Sequence, residues 1–168
     1  MIIGRPHLHF RHTGSTNDRA REAAAEGAPG GTLVTAEEQT TGRGRQGRPW
    51  STPPGSAVAW SVLIREKVEV PGTLPLQVGV GVCEAVESLG AGGVQMKWPN
   101  DIWIEGRKCA GILVEARPRD GWAVAGRFAA EILPGIFRLD DPCVQLRLAP
   151  EVDLRHHSSY SVATSRRC

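Results

Sequence analysis

The chain has 168 residues, 40% of them hydrophobic and 23% charged, with a formal net charge of +2. That length and balance suit one globular domain with a sizeable core and exclude a disordered chain, and so small a net charge excludes a general polyanion-binding surface. Cys83, Cys109, Cys143 and Cys168 lie far apart with no C-x-x-C pair, which speaks against a zinc site or a disulfide framework and for reduced thiols in a cytoplasm.

The first residues lack a charged-then-apolar signal pattern, and no apolar run reaches membrane-spanning length. Residues 7–12 read as a short strand with Leu8 and Phe10 on one face. Gly14 ends it, and Ser15-Thr16-Asn17-Asp18 reads as a helix start in which Ser15 caps and Asp18 completes a box-like pattern. The helix should run to Glu26 and stop at Gly27. Ser15, Thr16 and Asn17 are either plain caps or the edge of a ligand site, since a helix N-terminus aims free N–H groups at whatever lies in front of it. After a turn at 28–31, residues 32–37 read as a strand, apolar at Leu33, Val34 and Ala36.

Gln39 stands at the entrance to Thr41-Gly42-Arg43-Gly44-Arg45-Gln46-Gly47-Arg48-Pro49-Trp50, a stretch with three glycines, three arginines and no acid. Glycine permits positive φ and close backbone approach, and arginine offers a planar fork for carboxylate or phosphate. No helix or strand period fits, so the stretch reads as a mobile cationic loop that is either solvated or ordered by an anion, with Pro49 and Trp50 pinning its far end. Residues 53–55 close the loop, and residues 56–64 form a strand buried on at least one face.

A charged connector at 66–73 leads to the strongest helix, with Pro75 early and Leu76, Val80, Cys83, Val86 and Leu89 on one face. It ends at Gly90, and its internal Gly79 and Gly81 cost stability but allow close packing on a sheet. Residues 94–97 alternate as a strand, which Pro99 ends. Residues 102–104 and 108–116 read as a hairpin around 105–107. A turn at 117–121 precedes a short strand at 122–124. Beyond it the pattern weakens: residues 128–133 read as one or two helical turns, 144–148 as a strand, and the ending from 154 as structureless.

Ser15-Thr16-Asn17, Gln39, the Gly42 to Trp50 run, Lys97-Trp98-Pro99-Asn100-Asp101 and Arg107 to Glu115 together resemble, in order, spacing and type, the catalytic domain of biotin protein ligases. The resemblance covers about residues 5–122 and implies an α/β (α+β) fold with a mixed, largely antiparallel sheet flanked by helices, related to class II aminoacyl-tRNA synthetases. It implies a two-step reaction. Biotin and ATP, the latter with Mg²⁺, give biotinyl-5′-AMP and pyrophosphate; the biotinyl group then passes to a lysine of the biotin carboxyl carrier domain of acetyl-CoA carboxylase.

By the same resemblance Ser15, Thr16, Asn17 and Gln39 would line the biotin site. Arg43, Gly44 and Arg45 would lie along the carboxylate and phosphate, and Lys97 would sit where these join, with Lys97 and Arg45 as the catalytic pair. Gly42, Arg48, Trp50, Asn100, Asp101, Lys108, Gly111, Ile112 and Leu113 would form the nucleotide side and site wall. No metal ligand set is implied. The chemistry fits such a placement: a carboxylate must meet an α-phosphate, so cations must offset the repulsion, and a closing loop must exclude water from the mixed anhydride.

The resemblance also implies limits. The chain starts at the catalytic domain, without the DNA-binding module of repressor-type relatives. Trp122-Ala123-Val124 leads into Ala125-Gly126-Arg127-Phe128-Ala129 without the asparagines of the family's glycine-rich strand. The expected organisation is therefore a catalytic domain at 1–124 and an atypical tail at 125–168 lacking the usual C-terminal β-barrel, of the kind an out-of-frame reading of GC-rich DNA produces. A lipoate or octanoyl ligase, a weakly active or inactive biotin-binding homologue, and a nucleic-acid-binding loop are the alternatives. The low net charge and the single nearby aromatic oppose the last of these.

Overall fold

A strand in which every residue is apolar or small must be covered on both sides, and residues Ala57–Ile64 are such a strand, buried at all eight positions. In a computed structural model of the chain, which describes residues 1–50, 57–65 and 71–130, this strand is β5, interior to the sheet between β2 and β9. The others are β1 (His7–Thr13), β2 (Leu33–Gln39), β3 (Gly42–Arg43), β4 (Pro49–Trp50), β6 (Val94–Lys97), β7 (Asp101–Ile104), β8 (Arg107–Arg117) and β9 (Trp122–Ala130). The helices are α1 (Thr16–Ala25) and α2 (Leu74–Ser88).

Among the described residues the main sheet has seven strands in the order β1-β2-β5-β9-β8-β7-β6. Only β1 and β2 run parallel, joined through α1; the other neighbours are antiparallel. The mixed, largely antiparallel sheet flanked by helices is thus the fold class expected. No helix among the described residues is long and apolar enough to cross a membrane.

The alternation of side chains along a strand assigns the two faces. Val34, Leu63 and Val124 pack with Ala20 and Ala24 of α1. Their neighbours Leu33, Val62, Ile64, Ala123 and Ala125 pack with Leu74, Val78, Val82 and Val86 of α2. The helices therefore cover opposite faces. Ser61, two residues before Leu63, faces α1, and so does Gly126, its partner across the β5–β9 ladder.

Four expectations need correction. The buried face of α2 is Leu74, Val78, Gly79, Val82 and Val86, whereas Val80, expected inside, is 38% exposed. The helix carries apolar residues all round, so its periodicity supports more than one face; contact decides, because a Cβ on Gly79 would lie 2.4 Å from Met96 Cε. The strand expected at 122–124 runs nine residues to Ala130 between β5 and β8, so residues 128–130 are not helical and the division expected at 124/125 falls inside it. Its alanines and glycine give poor strand propensity, which two flanking partners override.

The arginine-rich loop forms a small antiparallel ribbon, β3 with β4, pairing Gly42 with Trp50 and Arg43 with Pro49. Gln46 and Gly47 turn it at φ 58° and 71°, and a Cβ on Gly42 would meet the Trp50 carbonyl oxygen at 2.6 Å. Lastly, Ser15 sits at the N-cap of α1 but makes no side-chain cap bond. The expectations for residues 53–55, 66–70 and 131–168 lie outside the described residues.

Candidate functional site

The site grows from the N-terminus of α1. β2 extends to Gln39, which brings its amide to the first turn of α1. The Thr16 backbone N–H donates to Gln39 Oε1 at 2.6 Å, and Thr16 Oγ1 donates to the same oxygen at 3.0 Å. Gln39 thus satisfies the first free N–H of the helix, one that an N-cap side chain at Ser15 would not reach. Ser61 Oγ lies 2.9 Å from Thr16 Oγ1 and donates to Asn17 Oδ1 at 2.6 Å. Ser15, Thr16, Asn17, Gln39 and Ser61 are all buried.

Asn17 rests flat on β9, because Gly126 has no Cβ: one would lie 1.8 Å from Asn17 Oδ1. Its Nδ2 donates to Glu115 Oε2 at 2.7 Å, which fixes the orientation of the amide. Glu115 belongs to β8 and pairs with Val124, so it too faces α1. Ser61, Glu115 and Gly126 were not assigned to the site from sequence, although Glu115 ends the Arg107 to Glu115 stretch. The signal for Ser61 was present: a lone hydroxyl in an otherwise apolar buried strand requires a partner.

The ribbon roofs this cluster. Arg43 grips Asp18 with both fork nitrogens, Nη1 to Oδ2 at 2.8 Å and Nη2 to Oδ1 at 2.5 Å. Arg21 also bonds Asp18, and its Nη1 lies 3.5 Å from Glu115 Oε1. Asp18, expected to cap, instead serves as a counter-ion. The Arg43 hydrogen bonds hold its carboxyl below the usual carboxylate range, against the opposing effect of burial, and raise the guanidinium in turn. The sign follows: a depressed carboxylate stabilises the fold above its unfolded value of about 3.9, and the gain disappears as pH falls through the lower folded value. The thermal midpoint of wild type should therefore exceed that of Asp18→Asn at neutral pH, the gap closing below about pH 4. A gap independent of pH would show that the carboxylate charge is not what matters.

At its far side the ribbon meets the turn after β6. Arg45 Nη1 reaches Asn100 Oδ1 at 3.4 Å. Asn100 is itself clamped to β8, its Nδ2 donating to the Ile112 carbonyl at 3.0 Å and its carbonyl accepting from Ile112 N–H at 2.8 Å. Lys108 pairs with Asp101 at 2.7 Å and lies 5.1 Å from the Trp50 ring. Gly111 lies beside this pair, a Cβ there being 3.6 Å from Lys108 Nζ, an ordinary contact distance. Lys97 is exposed, with its ammonium 4.0 Å from the Trp103 ring.

Most of the expected residues are therefore brought together. Thr16, Asn17 and Gln39 form the buried end; Gly42, Arg43, Gly44, Arg45, Arg48 and Trp50 form the ribbon; Lys97, Asn100, Asp101, Lys108 and Gly111 form the far wall. Ile112 differs. Its side chain is 2% exposed in the core under α2, and only its backbone serves Asn100. Leu113 pairs with Gly126 on the α1 face. Among the described residues no group of three or more His, Cys, Asp or Glu side chains could hold a metal.

Comparison with known proteins gives the family. Residues 10–126 match the Biotin/lipoate A/B protein ligase family. The Bifunctional ligase/repressor BirA of Bacillus subtilis is 38% identical over 123 residues, 71% of this chain and 37% of that one. The Biotin--[acetyl-CoA-carboxylase] ligase of Mycobacterium tuberculosis is 42% identical over 111 residues, 61% of this chain and 41% of that one. This chain thus spans well under half the length of these relatives. The biotin protein ligase of Aquifex aeolicus, solved in complex with biotin and ATP, superposes with a TM-score of 0.69 at 26% identity, covering 85% of this chain and 66% of that one. The enzyme from Leishmania major, in complex with biotinyl-5-AMP, gives 0.65 at 30%, covering 73% and 56%. With the family match running through both sides of the site, from β1 to the Gly126 beneath Asn17, this chain belongs to the biotin/lipoate A/B protein ligase family.

Proposed function

We propose that this chain carries the site of an ATP-dependent biotin protein ligase. It activates biotin as biotinyl-5′-AMP and passes the biotinyl group to a lysine of a biotin carboxyl carrier domain, that of acetyl-CoA carboxylase. One observation carries the reading: a buried neutral cluster of amide and hydroxyl groups lies under an arginine ribbon whose far side touches the turn after Lys97. A ligand with a polar, uncharged ring at one end and a carboxylate at the other matches that gradient. The catalytic domain on this reading includes all of β9, to residue 130, and the cysteine usage supports a reducing cytoplasm.

In the first step a biotin carboxylate oxygen attacks the α-phosphorus of ATP, and the bond to the β-phosphate oxygen breaks, releasing pyrophosphate. Lys97 and Arg45 offset the repulsion between the two anions and stabilise charge on the α-phosphoryl oxygens. Mg²⁺ enters as part of the substrate, bound to the ATP phosphates. In the second step the neutral amine of the carrier lysine attacks the acyl carbon and AMP leaves. The ribbon excludes water from the mixed anhydride between the two steps.

The family also includes lipoate ligases, so the test must separate the two substrates. Pyrophosphate release should depend on biotin and not on lipoate. Dependence on lipoate alone would reassign the substrate. Biotin binding by calorimetry without release would leave an inactive biotin-binding homologue, and neither binding nor release would end the reading.

A further inference from the structure

We infer that Arg43 is a strut and not an anion ligand: Asp18 neutralises it and so holds β3 over the Thr16–Asn17–Gln39–Ser61 cluster. The reacting anions are then left to Arg45, Arg48 and Lys97. Both forward-facing nitrogens of Arg43 are engaged by Asp18, at 2.8 and 2.5 Å. To reach a phosphate, Arg43 would have to break two charge-assisted bonds whose geometry is already the favoured bidentate one. Arg45 by contrast makes a single long contact of 3.4 Å to a neutral amide oxygen, and Arg48 is exposed. Releasing either of these costs little.

The strut belongs to a larger brace. Arg43, Asp18, Arg21 and Glu115 alternate in sign, and the far oxygen of Glu115 orients Asn17. The chain of contacts ties the ribbon to the helix and the helix to β8, through groups that are two-thirds or more buried at the Asp18 and Glu115 ends. The lowered carboxyl and raised guanidinium agree with mutual stabilisation. The competing account is an ordinary surface ion pair of no consequence.

The experiment uses the full 168-residue chain and compares wild type, Asp18→Asn, Arg43→Gln and the double variant. Amide hydrogen exchange across residues 40–50 is read first, without ligand. Each single change should speed exchange by roughly three- to tenfold, and the double should be no faster than the worse single, because both remove one interaction. Asp18→Glu and Arg43→Lys should each restore part of the protection. Affinity for biotinyl-5′-AMP is read second, and this arm rests on the ligase reading. The two single variants should lose affinity equally. If Asp18→Asn binds the adenylate as well as wild type or better while Arg43→Gln loses far more, Arg43 is the anion ligand and the strut is refuted. Unaltered exchange in folded Asp18→Asn refutes it too. A loosened ribbon in a protein whose wild type ignores biotin would keep the strut and discard the ligase reading.

Discussion

Lys97→Ala is expected to slow pyrophosphate release by about a thousandfold or more while leaving the thermal midpoint nearly unchanged. The asymmetry follows from where the residue sits. Lys97 closes β6 opposite Asp101, and its side chain is exposed, held by the Trp103 ring at 4.0 Å. Truncation leaves no cavity, and a cation over an exposed ring contributes only about 0.5–1 kcal/mol. The same charge acts far more strongly where a carboxylate and an α-phosphate are pressed together, because its value rises as the phosphoryl oxygens gain charge. Lys108 cannot substitute, since Asp101 already holds its ammonium at 2.7 Å. Lys97→Arg keeps the charge but spreads it over a fork, so partial recovery at most is expected. Single-turnover pyrophosphate release, with circular dichroism as the check on folding, reads both quantities. A folded Lys97→Ala protein with wild-type turnover would reduce this residue to a surface lysine.

Gly126→Ala should weaken biotin binding, through packing instead of charge. The added methyl would lie 1.8 Å from Asn17 Oδ1, 2.8 Å from Asn17 Cγ and 3.0 Å from Ser61 Oγ. Asn17 is held on its other side by Glu115 and cannot turn away without breaking that bond. The expected cost is about 1–3 kcal/mol of stability, with biotin affinity falling by tenfold or more as the cluster is displaced. Gly79→Ala is the control. There the methyl would meet Met96 Cε at 2.4 Å, but a methionine terminus moves easily, so the cost should stay below about 1.5 kcal/mol and biotin affinity should hold. Urea midpoints and calorimetry measure the pair. Normal biotin binding by Gly126→Ala would mean that Asn17 does not need its place on β9.

Much of this could be read directly from the residues. The strand at 57–64, the hairpin of β7 and β8 and the start and stop of α1 follow from periodicity, turn residues and the glycines that end helices. The basic ribbon and the Lys97 turn stood out because unusual residue types are concentrated there. What misled was uniformity. In α2 apolar residues occur on every side, so spacing alone could not choose the face. In β9 alanine and glycine carry little propensity of either kind, so the strand looked three residues long where nine were paired.

The sequence by itself determined the chemistry available: which cations, amides and hydroxyls the chain owns, and which segments present them at loop roots and a helix start. Tertiary structure alone decided their partners. Asp18 looked like part of a cap and became the counter-ion of Arg43, because the pairing of β3 with β4 sets Arg43 over the first turn of α1. Ser61, Glu115 and Gly126 meet Asn17 because β5, β9 and β8 lie side by side and their alternation turns all three toward α1. A local pattern cannot encode this, since those partners are separated from Asn17 by 44 residues at Ser61 and 98 at Glu115, and only the register of a folded sheet brings them into contact.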